Sequence, residues 1–107
     1  MTKIQFHYAP RLYLGKSMKE KKLDKIKKRL DKNLFLTKLY LLTFASNPHD
    51  QLEFFDTRLI PLRSYEGYSP YVIGICKNET EALELVEKIA KECYEERGDC
   101  ALREYLS

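Results

Sequence analysis

The stretch Ser46–Pro70, SNPHDQLEFFDTRLIPLRSYEGYSP, decides the fold. On each side of it stands a segment that is apolar on both faces, Lys38–Ala45 (KLYLLTFA) before and Tyr71–Cys76 (YVIGIC) after. If the stretch crosses the sheet as a helix, the flanking strands run parallel; if it loops back, they run antiparallel. Ser46-Asn47-Pro48 has the form of a helix start, a polar N-cap followed by proline at the first helical position. Asp50 and Glu53 then fall in the first turn, where the helix dipole favours carboxylates. Leu52, Phe55 and Leu59 follow at helical spacing, so a helix is expected over 48–60, although Gln51–Phe55 also fits a strand. Residues 61–70 read as a turn-rich loop.

Working outward, Ile4–Leu14 holds a first strand that Pro10 must either bulge or delay, because proline cannot donate to a ladder. Ser17-Met18-Lys19-Glu20 matches a capping box. The helix expected after it runs to about Asn33, with Leu23, Ile26, Leu30 and Leu34 as its apolar stripe. After the strand Tyr71–Cys76, Asn78 caps a last helix with Glu81 at its third position. Ala82, Leu83, Val86, Ile89, Ala90 and Cys93 form its expected core side, and Gly98 its C′ residue. Cys100–Leu106 alternates as an edge strand would. The fold expected is therefore an α/β single domain over 1–107, with a small, mostly parallel sheet and elements in the order βαβαβαβ. The alternative is an α+β ferredoxin-like βαββαβ sandwich with 46–70 as an elaborated connection.

Composition limits the function classes. The chain has 107 residues, 44% hydrophobic and 33% charged, which suits one soluble globular domain. No run approaches the ~18 apolar residues of a membrane span, and no secretory leader is visible in the first residues. Cys76, Cys93 and Cys100 are an odd number without a CxxC pair, which fits reduced thiols better than a disulfide framework or a zinc site. The expected compartment is the cytoplasm. The net charge of +3 hides an asymmetry: residues 1–45 carry twelve Lys/Arg against three Asp/Glu, and residues 46–107 carry seven against thirteen. The two halves can neutralise each other within a monomer or across an interface, or the basic half can attract phosphate.

PYVIGICKNETEALELVEKIAKECY, followed by GDCALREYL, resembles the C-terminal half of small proteins of anaerobic Gram-positive bacteria, and LYLLTFASNPHDQLEFF is similar to their middle stretch. No activity is assigned to that group. The resemblance implies a cytoplasmic bacterial protein and no chemistry.

Gly15-Lys16-Ser17 after a strand resembles the end of a P-loop, but Pro10 stands where its first glycine belongs and the residues between are bulky. Nucleotide hydrolysis is not expected. In a parallel sheet, however, ligands bind beyond the strand ends. Three junctions would then meet and offer Lys16, Ser17, Asn47, His49, Lys77 and Asn78 to a phosphate or carboxylate. The bland reading is that Ser17, Asn47 and Asn78 only cap helices. His49 and Glu53 have metal-ligand spacing, but no third ligand is apparent, so neither a metal nor a cofactor is expected. Arg63, Tyr65, Tyr68 and Tyr71 have the residue types of interface hot spots. The segment 16–32 holds nine Lys/Arg and three acids, by default a solvated helix face. The leading reading is a non-catalytic binding module that self-associates as a homo-oligomer or meets a protein partner, with an anion site at the strand ends. The second is a nucleic-acid accessory protein using the Lys-rich helix. The third is an enzyme on a phosphorylated small molecule.

Overall fold

The computed structural model of the chain describes residues 4–35, 38–45, 51–63 and 68–106, apart from the side chain of Arg63. The elements are β1 (His7–Leu14), α1 (Leu23–Asp31), β2 (Tyr40–Phe44), β3 (Leu52–Asp56), α2 (Ile60–Arg63), β4 (Tyr71–Cys76), α3 (Glu79–Arg97) and α4 (Leu102–Leu106), with 3-10 turns at Glu20–Lys22 and Thr57–Leu59. One four-stranded sheet has the order β1-β4-β2-β3. β1 and β4 are parallel. β2 is antiparallel to both β4 and β3.

The expected mostly parallel βαβαβαβ fold is therefore overturned. The stretch that reads as a helix over 48–60 forms the strand β3 instead, and only the short α2 and its 3-10 lead-in follow. The physical reason is the pair of adjacent phenylalanines. In a helix, the stripe Leu52-Phe55-Leu59 would leave Phe54 outside. In the hairpin, Phe54 lies opposite Leu42 and Phe55 opposite Leu41, so the two rings serve opposite faces of the sheet. Tyr40 adds a tilted ring contact to Phe54 at 6.2 Å. Asp56 then stops the strand: its carboxylate accepts from the Arg58 N–H at 2.9 Å and from the guanidinium. Those hydrogen bonds from Arg58 hold the Asp56 carboxyl below the usual range.

The ferredoxin-like alternative is not met either. Helices cover both faces of the sheet, and among the described residues no strand follows α3. On one face, Leu30 of α1, with Leu23 and Ile26, packs on Leu41, Phe55, Val72 and Ile75. On the other, Ala82, Leu85, Ile89 and Cys93 of α3 pack on Tyr13, Leu42, Ile73 and Cys76. The core side of α3 thus runs through Leu85, and Leu83 stays half exposed. Leu34 likewise lies beyond α1 and is exposed. The segment expected as an edge strand, 100–106, is the helix α4. Leu102, Tyr105 and Leu106 sit at i, i+3 and i+4, and all three face the α3 side of the core.

β1 keeps Pro10 by bulging. Tyr8 pairs with Val72 and Tyr13 with Gly74, so the residues from Ala9 to Leu12 stand against the single residue Ile73. The apolar character of β2 and β4 on both faces matches their central places. No helix among the described residues is long and apolar enough to cross a membrane.

Candidate functional site

The parallel pairing of β1 with β4 brings two strand ends together. The Gly15 N–H donates to the Ile75 carbonyl at 2.9 Å. Gly15-Lys16-Ser17 and Lys77-Asn78 therefore emerge side by side. β2 runs the other way, with Tyr40 beside Cys76 and Thr43 beside Val72. Its last residue, Phe44, is thus at the opposite end of the sheet, and the expected meeting of three junctions is reduced to two. Asn47 and His49 lie outside the described residues.

At the two gathered ends the chain supplies its own anion. Asn78 caps α3 by accepting the Glu81 N–H at 2.9 Å. That turn aims the Glu81 side chain back at the strand ends, where it is 4% exposed. One carboxylate oxygen accepts the Lys77 N–H at 3.0 Å. The other accepts the Ser17 N–H at 3.3 Å and the Ser17 hydroxyl in a very short contact. Burial alone would raise this carboxyl, but the hydrogen bonds from Ser17 and Lys77 outweigh it and the net shift is downward. Gly15 is part of the same construction. A Cβ there would collide with the Glu81 carboxylate and lie 2.7 Å from the Cys76 Cβ. The capping box expected at Ser17–Glu20 is not formed: helix proper starts at Leu23, and Ser17 serves Glu81 instead. Burial, with the nearby Glu81 charge, pushes the Cys76 thiol up to about 12, so it is no nucleophile at neutral pH.

Lys16 points away and approaches Glu84 at 3.7 Å on the surface. Lys77 faces a groove of about 390 Å³, whose other walls are Ser17, Met18, Lys19, Lys21, Lys22, Lys25, Ile26, Arg29 and Leu39. Among the described residues, five lysines and one arginine thus line one concavity, and no carboxylate does. Among the described residues, Lys19, Lys21, Lys22, Lys25 and Lys77 make no ion pair. Met18, Ile26 and Leu39 are each half-buried and form an apolar floor. A second concavity, along the free edge of β1, mixes signs by placing Glu20 among Arg11, Lys27 and Lys88. Of these two, the first is lined by charges of one sign among the described residues.

Sequence reasoning found the basic segment and Lys77 separately. It missed that Leu39 and Lys77 close the groove over α1, and that Glu81 is the partner of Ser17. The one signal for the latter is a glutamate at the third position of a helix that begins beside a glycine-bearing strand end. Of the tyrosines with interface character, Tyr68 packs against the α1-side core. Tyr71 stacks on Phe44 with 5.4 Å between ring centres. Tyr65 and the side chain of Arg63 lie outside the described residues. Among the described residues, no three His, Cys, Asp or Glu side chains gather as metal ligands would.

Comparison of the chain with models of known protein families, with curated proteins and with solved structures found no match.

Proposed function

We propose that the protein is a non-catalytic binding module that takes a phosphate-bearing ligand in the lysine-lined groove. The observation that carries this reading is the convergence of five lysines and an arginine, from the 3-10 turn, α1 and the end of β4, on a groove that no carboxylate lines among the described residues. Like charges held together repel, and Lys19, Lys21, Lys22, Lys25 and Lys77 make no ion pair among the described residues, which favours an external anion. Lysine binds phosphate as a compact point charge. Binding is favoured over catalysis by the lining itself, which among the described residues holds no carboxylate, histidine or cysteine, and whose Ser17 hydroxyl is already donated to Glu81. The expectation of self-association rests on sheet edges and faces left to cover. Here α1 covers one face and α3 with α4 the other, and β1 and β3 stand at the edges; the lysine-lined groove gives ligand binding the more specific support.

The test is retention on an immobilised polyanion, with Lys22→Glu/Lys25→Glu as the control. Elution only at high salt is expected, with the variant eluting far earlier. Elution of the natural sequence at low salt, as for any protein of similar net charge, overturns the reading.

A further inference from the structure

We infer that the phosphate-bearing ligand is a single-stranded nucleic acid, bound with little regard to its sequence; this rests on the reading of the groove given above. Three features point to it.

Charge comes first. A phosphomonoester carries about −1.5 to −2, well short of the five lysines that line the groove and make no ion pair among the described residues. The cations also do not stop at its rim. Lys21, Lys25, Arg29 and Lys32 recur at spacings of four, four and three, so they follow one side of the 3-10 turn and α1. From Lys21 to Lys32 this row covers about 16 Å. That length suits several consecutive phosphates and exceeds the need of one.

The floor comes second. Met18, Ile26 and Leu39 offer half-buried aliphatic surface between the cations. A volume of about 390 Å³ accepts one nucleoside-sized body. In a duplex the bases stay paired and stacked and cannot reach such a floor. In a single strand they can be turned out onto it. Among the described residues the lining contains no aromatic ring and a single arginine, so base identity is hardly read and the affinity is mainly electrostatic.

The third feature separates this ligand from an anionic membrane. A helix that lies on a bilayer keeps a large apolar face for the lipid. In α1, Leu30 is buried and Leu23 and Ile26 are half-buried against the sheet; beyond the small groove floor to which Ile26 contributes, what faces outward is charged.

The experiment is fluorescence anisotropy of the full chain with labelled dT8, dA8 and an eight-base-pair duplex. ATP is the competitor, and phosphatidylserine vesicles are tested by co-sedimentation. The expected result is similar binding of dT8 and dA8, duplex at least about tenfold weaker, and a salt slope near −3 for about four phosphate contacts. Lys22→Ala/Lys25→Ala should weaken dT8 binding about tenfold and flatten the slope by about 1.4. Met18→Ala should weaken it about threefold and leave the slope unchanged. Equal or tighter binding of the duplex, of ATP or of the vesicles overturns the single-strand assignment while leaving a phosphate site in the groove. Failure of every probe to bind overturns the assignment and the proposed function together.

Discussion

Two regions meet at Ser17 and Lys77, and they treat charge in opposite ways. Inward of the pair lies one carboxylate, Glu81, buried and surrounded by donors from Ser17 and Lys77. Outward lies the groove, where the described lining holds five exposed lysines and an arginine and no acid. A matched charge inside a protein supports the fold, because removing either side leaves a desolvated group alone. An exposed cluster of like charges contributes little to stability. The strand ends therefore divide into a half that supports the fold and a half for which we propose a ligand.

The largest effect should come from removing the carboxylate. Glu81→Ala leaves Ser17 and Lys77 donors without their acceptor and is expected to destabilise the chain by about 3 kcal/mol, or roughly 10–20 °C in Tm. Thermal unfolding reads it, and a loss below about 1 kcal/mol would erase the contrast between the two regions. Next is Gly15→Ala, whose added methyl meets Glu81 and Cys76; about 1–3 kcal/mol is expected. In the Glu81→Ala background the same substitution should be milder, because one of its two obstacles is gone. Strict additivity in that double-mutant cycle would show that Gly15 and Glu81 do not share a site.

A pH titration of stability sharpens the comparison further. The Glu81 carboxyl is held below its ordinary range when folded and titrates near about 4.3 when unfolded. Its contribution is complete above the unfolded value and disappears as the pH falls through the folded one. Unfolding curves from pH 6 down to pH 2 should therefore lose stability less steeply in Glu81→Gln than in the natural sequence. Parallel acid limbs would contradict the assigned role. The smallest change belongs to the groove: Lys22→Ala/Lys25→Ala should move stability by no more than about 0.5 kcal/mol, upward if anything, since it relieves repulsion. A large loss there would make the lysines structural.

What was legible in the sequence depended on how far away the deciding partner stands. From Tyr71 to Gly98 the determinants are local. Asn78 caps, Gly98 adopts the left-handed conformation with φ 77°, and the apolar residues keep helical spacing, so the strand and helix were readable. Between Ser46 and Arg63 a local helix signal competed with a hairpin partner, and cross-strand burial of Phe54 and Phe55 against β2 decided the matter. At the C-terminus, Leu102 and Leu106 belong equally to a period of two and to a helical turn, and Tyr105 breaks the tie only once the α3 surface exists to receive it. Ser17 was read through its neighbour Glu20, whereas its partner is a glutamate 64 residues later. The groove was half legible: the basic helix stands out, but its closure by Leu39 and Lys77 follows from the strand order.

The place of β1 has a consequence for biogenesis. It is made before the other strands of the sheet, yet among the described residues its only neighbour there is β4, whose residues leave the ribosome some sixty positions later. The hairpin of β2 and β3 can zip locally in the meantime, while β1 waits for a long loop to close, a slow kind of step. During that interval its backbone is open to strangers. The proline at its middle, with the kink it imposes, makes it a poor template for intermolecular pairing, so the irregularity that spoils the ladder also guards the nascent chain against aggregation.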